Sequence, residues 1–299
     1  MIEKRTFGGI VADIIIWIIV GALALSCLMP LMNIVAISLS DNAAVSANLV
    51  NIFPIGFNIS SYQEIMGDKQ FWRSFGISVL RVVLGLSVNI TLLVLTAYPL
   101  SKSPKFFTGQ KVYMSLILFA MLFSGGLIPT FMVVNSLKLT NTIWALILPN
   151  YLITAFNIML VKNYYQNSIP DALIEAAEID GASELTIFWK IVFPLSTPVI
   201  ATISLFTALK YWNDWVNALY YITKPQLYGI QNLLLRIMDN IQFLKSGGAG
   251  EIAGAAMVDL PGTSVRMAMA VVGILPIILI YPFVQKYFIK GVVVGAVKG

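Results

Sequence analysis

Four polar residues in one apolar stretch, Lys210, Asn213, Asp214 and Asn217, stand at positions i, i+3, i+4 and i+7. On a helix that spacing sets them along one face. Tyr211, Trp212 and Trp215 flank them. An ammonium, a carboxylate and two amides beside aromatic rings suit a hydroxyl-rich ligand. They are not a reaction centre. The chain has no histidine and one cysteine, Cys27. That excludes histidine acid–base catalysis and a disulfide within the chain, and it argues against a zinc site or any other metal constellation. A second constellation is acidic, with Asp171, Glu175, Glu178 and Asp180 close together in sequence. Its chemistry is contact: a charged patch that a partner could grip.

Both constellations must be positioned by a very apolar chain. Hydrophobic residues make up 58% of its 299 residues and charged residues 11%. The mean hydropathy is +0.84. A soluble domain carries roughly a quarter charged residues and could not hide this much apolar surface. The net charge of +5 does not point to nucleic acid, because the lysines are scattered between apolar segments as membrane-flanking charges. Lys4 and Arg5 precede an apolar run far longer than the roughly 7–15 residues of a signal peptide, so the run reads as a retained anchor.

A membrane span needs about 20 apolar residues. Six segments qualify, at about 10–37, 75–100, 112–134, 142–161, 198–220 and 263–288. The expectation is an all-α integral membrane protein, one transmembrane domain over 1–299 with six helices. Arg81, inside the second span, is expected to snorkel to the outer surface. Lys4, Arg5, Lys102, Lys105, Lys111, Lys162, Lys190, Lys286, Lys290 and Lys298 fall on one side. The basic bias assigns that side, with both termini, to the cytoplasm. Lys69, Arg73, Lys138, Lys224, Arg236, Lys245 and Arg266 fall on the other. Long outer loops cover 38–74 and 221–262. The second has a flexible tip at Ser246, Gly247, Gly248 and Gly250.

The acidic patch reads as a helix–turn–helix on the cytoplasmic surface. Ser168 is placed as N-cap, with Pro170 in the first turn and Asp171 in an acidic capping box. Gly181 stops the first helix in a left-handed conformation. Ser183 caps a second helix whose apolar face is Leu185, Phe188, Trp189 and Val192. An interfacial hairpin that only covers the spans fits these features equally well.

Glu175-Ala176-Ala177, then Gly181, then Ile191 and Pro194 resemble the EAA loop of importer-type ABC permeases. That pattern is Glu-Ala-Ala, three residues, Gly, nine residues, Ile-x-Leu-Pro. Phe193 stands where Leu is usual. The flanks Ser168-Ile169-Pro170 and Ile179-Asp180-Gly181-Ala182-Ser183, with Trp212-Asn213-Asp214, are similar to the carbohydrate branch, in particular its MalG-like subunits. The resemblance implies the ABC type I importer permease fold, with a cytoplasmic coupling helix in the loop 168–194. Glu175, Ala176, Ala177, Asp180 and Gly181 would seat it in a groove of a separate ATPase subunit. It further implies a heterodimer with a second homologous permease, two ABC ATPase subunits, and an extracytoplasmic solute-binding protein such as a lipoprotein. The cargo would be a carbohydrate, an oligosaccharide, crossing the lipid of a bacterial plasma membrane. No cofactor is expected in this chain, with ATP and Mg held by the ATPases. No phosphate loop is present: Gly291 to Gly299 lacks both its spacing and its hydroxyl residue. The outer tip Ser246, Gly247, Gly248 and Gly250 would reach the binding protein.

Two readings of the first constellation stay open. Lys210, Tyr211, Trp212, Asn213, Asp214 and Asn217 could line the substrate path. Pro198 to Asp214 spans roughly 24 Å of helix, toward the outer end. Alternatively, a Lys210–Asp214 pair holds helices together and the tryptophans anchor at the interface. Asn150, Thr154 and Asn157 read as interhelical hydrogen bonds, worth about 0.6 kcal/mol each. An ion-gradient secondary transporter is the other functional class. It lacks support because few acids lie in the spans and no acid–histidine relay exists. A membrane enzyme lacks a catalytic set.

Overall fold

Residues 7–104, 106–149, 151–245 and 261–296 are described by the structure, a computed structural model. Among them every regular element is helical, as the composition led us to expect. The chain divides into two compact units. One takes in the described residues of 1–71 and 236–275, the other those of 72–235 and 276–299.

In the first unit, helix α1 (Phe7–Ser38) is continuous through Pro30. Its apolar window has a hydropathy of 2.6 and none of it is buried. A run of Ile, Val, Leu and Ala with no polar face can rest in lipid but not in water. The loop beyond it folds back on its end. Asn33 donates to the carbonyls of Val50 (3.3 Å) and Asn51 (2.6 Å), and Ser40 Oγ accepts from the Ile55 amide at 3.0 Å. The short helices α2 (Asn42–Ser46) and α3 (Ser60–Gly67) follow. Asp68 then caps the next helix by accepting from the Gln70 and Phe71 amides.

The second unit holds most of α4 (Lys69–Ser101), then α5 (Gln110–Leu122), α6 (Leu127–Ser136), α7 (Trp144–Ile147) and α8 (Ala155–Ser168). It continues with α9 (Asp171–Ile179), α10 (Glu184–Ile187), a π-helical turn (Phe188–Val192) and α11 (Phe193–Leu195). Next come α12 (Thr197–Asn213) and α13 (Val216–Tyr221). Two further helices, α14 (Ile230–Lys245) and α15 (Thr263–Ala296), have residues in both units. One core of the second unit is formed by Leu93, Ala97 and Leu100 of α4, Ile158 and Val161 of α8, and Phe188, Val192 and Ile200 beyond the acidic stretch. The spacing 93, 97, 100 is one helical face. Another core gathers Val134, Ala145, Leu146, Ala218, Tyr221 and Ile222. Lipid is as apolar as these side chains. Close fit and polar bonds, more than the hydrophobic effect, must therefore specify such contacts.

Among the described residues three helical segments are long and apolar enough to cross a membrane: Gly8–Ser38, Lys69–Ser101 and Thr263–Pro282. Two bent pairs raise the number to five, against the six spans read from the sequence. The segment 112–134 is not one helix, because α5 and α6 meet at 119°. The break falls at Gly125 and Gly126, and Gly126 has a φ of 84°, open only to glycine at little cost. The segment 142–161 is not one helix either. Pro149, which has no amide hydrogen, follows α7, and helix resumes only at Ala155. The segment 198–220 is interrupted at Asp214, between α12 and α13.

Candidate functional site

The acidic stretch folds as a helical hairpin. Ser168 ends α8 and caps nothing; Pro170 is the N-cap of α9. The correction has a local cause: Ser168 is still inside a helix, and the proline ring holds the extended conformation that an N-cap needs. Gly181 does stop α9. Its φ is +76°, and nothing lies within 4 Å of a Cβ built there. The Ala182 amide donates to the Ala177 carbonyl at 2.9 Å and the Gly181 amide to that of Glu178 at 3.0 Å. These are the two bonds of a Schellman motif. Ser183 caps α10, accepting from the Thr186 amide at 3.4 Å.

Ile174, Ala177 and Ala182 pack against the first core. Asp171, Glu175, Ala176, Glu178 and Asp180 are exposed. The hairpin thus buries one edge and shows a face of carboxylates with Ile179 (86% exposed), Leu185 (69%) and Trp189 (52%). Phe188 and Val192, read from the sequence as sharing one apolar face with Leu185 and Trp189, are both 1% exposed. Phe188 and Val192, four residues apart, line the side packed into the core, whereas Leu185 and Trp189, also four apart, line the other. The hairpin is tied to the end of α4. Lys102 Nζ lies 3.1 Å from Glu184 and 3.9 Å from Glu178, and 5.2 Å from the Tyr98 ring centroid. The Tyr98 hydroxyl donates to Glu184. Between them opens a cavity of about 470 Å³, lined in part by Tyr98, Lys102, Gln166, Asp171, Glu175 and Glu178.

The second constellation differs from its sequence reading. Lys210, Tyr211, Trp212 and Asn213 belong to α12, but Asp214 is extended and Asn217 sits on α13, so the four polar residues do not share one helical face. Lys210 and Asn213 are exposed, whereas Tyr211, Trp212, Asp214 and Asn217 are buried. Asp214 does not pair with Lys210. Its partner is Arg81, which is 3% exposed and does not snorkel outward. Arg81 Nη2 donates to the Asp214 carboxylate. Its Nη1 donates to the Asp214 carbonyl at 2.8 Å and its Nε to the Leu146 carbonyl at 2.8 Å. The other carboxylate oxygen accepts from the amides of Val216 (3.0 Å) and Asn217 (3.3 Å) and from the Tyr151 hydroxyl (3.3 Å). A buried charge survives only when paired and fully hydrogen-bonded, and both conditions are met here.

The same network closes the other break. Asn89 Nδ2 donates to the carbonyls of Tyr151 and Leu152, each at 2.8 Å. The Tyr211 hydroxyl donates to the Ile147 carbonyl at 3.1 Å, and Asn217 Nδ2 to the Pro149 carbonyl at 3.2 Å. Gly85 lets the Tyr211 ring lie directly on α4. Arg81, Gly85 and Asn89 recur every four residues, one face of α4 that serves both chain breaks. The sequence reading missed this face, although its signal was present as polar and small residues at helical spacing inside a span. Thr154 and Asn157 lie at the start of α8; Asn150 lies outside the described residues. Ser246, Gly247, Gly248 and Gly250 also lie outside the described residues. No group of three or more metal-ligating side chains occurs among the described residues.

These features belong to a known class of membrane permease. The family of binding-protein-dependent transport system inner membrane components matches residues 94–294. The chain is 40% identical over 288 residues to the polygalacturonan/rhamnogalacturonan transport system permease protein YtcP of Bacillus subtilis, covering 96% of this chain and 98% of that one. It is 38% identical over 295 residues to protein LplC of the same organism, covering 99% and 97%. A crystal structure of a bacterial ABC transporter involved in import of the acidic polysaccharide alginate contains a chain that is 32% identical. It superposes with a TM-score of 0.83 and covers 96% of this chain and 99% of that one. The chain belongs to the binding-protein-dependent inner membrane permeases and has the type I importer fold. It is a transport subunit, not an enzyme.

Proposed function

We propose that this permease carries a carbohydrate, an oligosaccharide, into the cytoplasm by alternating access, driven by ATP hydrolysis on two separate ATPase subunits. A second homologous permease completes the pore, and an extracytoplasmic binding protein delivers the cargo. ATP and Mg reside on the ATPases, and both termini face the cytoplasm. The observation that carries the reading is the α9–α10 hairpin. It exposes apolar and acidic side chains together, which marks a surface meant for a protein partner. Its other edge is packed into the core and tied to α4 through Lys102. A push on the hairpin therefore has a stiff path into the spans. Relatives whose names refer to polysaccharides support the cargo class.

The test compares ATP hydrolysis with uptake in the assembled transporter. Glu175→Lys reverses charge on the exposed face, and Gly181→Val forces a β-branched residue into a left-handed conformation. Both variants should keep ATPase activity while losing at least tenfold in uptake per ATP. Wild-type uptake per ATP in both variants refutes the reading.

A further inference from the structure

Acidic residues are distributed unevenly along the second unit. None occurs from 69 to 170, and from 185 to 238 Asp214 is the only one. The acids between these stretches all belong to the 171–184 hairpin. Asp214 is buried and neutralised by Arg81. Away from the hairpin, the described residues of the unit therefore offer no free acidic side chain, yet they keep cations outside any ion pair.

Four of these cations fall at or near one end. The Arg73 Nε donates to the Gln226 carbonyl at 3.2 Å. Asn141 Oδ1 accepts from the amides of Thr223 (2.8 Å) and Lys224 (3.1 Å). These bonds gather Arg73, Lys224 and the Lys138–Asn141 turn at one end of the unit. Lys210 lies farther in, in the last turn of α12 before the Asp214 break. The side chains of Arg73, Lys138, Lys210 and Lys224 are exposed. Among the described residues none of the four is in an ion pair. Exposed Asn213 and Trp215 (43% exposed) bracket the same break.

A cation within an apolar span is costly unless it meets water, a counter-charge or cargo. Lys210 also lies in the last turn of α12, a favourable site for a cation. That accounts for a tolerated lysine, as the cost of charge in lipid accounts for the scarcity of acids. Under the proposed orientation Arg73, Lys138 and Lys224 are on the outer side, where the positive-inside bias gives no reason for them. Exposed charges of one sign raise the local concentration of the opposite sign.

We propose that the permease selects carboxylate-bearing oligosaccharides, and that Lys210 is the specificity-determining cation, with Asn213 and Trp215 as its hydrogen-bonding and ring-stacking neighbours. This rests on the carbohydrate-import reading above. Arg73, Lys138 and Lys224 form the attracting mouth.

The test uses the complete transporter with its binding protein in vesicles of neutral lipid. The probes are trigalacturonate and its fully methyl-esterified form, which share a skeleton and differ in charge. Wild type should take up the acid, and Lys210→Gln should raise KM for it about tenfold without altering uptake of the ester. Lys210→Arg should restore the acid. The joint variant Lys138→Gln/Lys224→Gln should flatten the salt dependence of acid uptake. An unchanged KM for the acid in Lys210→Gln overturns the proposal. So does an equal loss for acid and ester, which assigns Lys210 to the fold. Acid uptake that requires anionic lipid overturns it too, because the cations then serve headgroups. Uptake of the ester alone defeats the charge assignment and leaves carbohydrate import standing. Uptake of neither probe, nor of neutral oligosaccharides, defeats both.

Discussion

Gly85 is the tightest point in the polar face of α4, and replacing it with alanine is a sharp perturbation. A Cβ there would stand 2.6, 2.7 and 2.9 Å from three carbons of the Tyr211 ring. Carbon atoms pack best at about 3.5–4.0 Å, so the ring would have to withdraw by about 1 Å. It has little freedom to do so. Tyr211 is 1% exposed, lies edge-on to Tyr151 at 5.7 Å, and is fixed by its hydroxyl to the Ile147 carbonyl. Overpacking of this kind costs about 1–3 kcal/mol. Loss of the tyrosine hydrogen bond adds about 1 kcal/mol. The assay is survival of the purified, assembled transporter through a temperature series, paired with uptake. Gly76→Ala is the control, because nothing lies within 4 Å of its Cβ; it should change stability by less than about 0.5 kcal/mol. Gly85→Ala should lower both survival temperature and uptake, and Gly85→Ala/Tyr211→Leu should recover much of the loss. If Gly85→Ala behaves like Gly76→Ala, the close approach of α4 to Tyr211 is wrong.

Two further outcomes follow from the same geometry. Arg81→Met leaves Asp214 buried without its cation and should cost about 3–5 kcal/mol. Arg81→Met/Asp214→Asn should be milder than Arg81→Met alone, a non-additivity that a double-mutant cycle on complex survival would measure. Lys102→Ala removes a partly exposed pair, of a kind worth about 0.2–1 kcal/mol at a surface. It should leave survival temperature nearly unchanged while lowering uptake per ATP.

The helical class and the hairpin were legible in the sequence for a physical reason. Continuous apolar runs and helix-stop residues are local signals, and Gly181 signals its left-handed turn by standing between one helical run and the Ser183 cap of the next. The breaks were less legible. Pro149 and the Gly125–Gly126 pair were visible, but membrane helices often tolerate both residue types, so the sequence did not reveal that these helices stop. Asp214 was misplaced because a period of 3.6 assumes an unbroken helix. Its true partner, Arg81, is 133 residues away, and no local spacing connects them. Ser168 failed as a cap for a similar reason: α8 runs through to it, which tertiary packing of Tyr165 and Ile169 decides.

The central claim is that the α9 face receives work from an ATPase. It is tested most directly by placing a photo-crosslinker there. In a C27S background, where the exposed native thiol is gone, the A176C variant would carry the probe on an exposed position of α9. A crosslink to the ATPase subunit, with a yield that changes with ATP, is the expected result, and uptake should be lost once it forms. Crosslinking only to lipid or within this chain, with uptake intact, would contradict it.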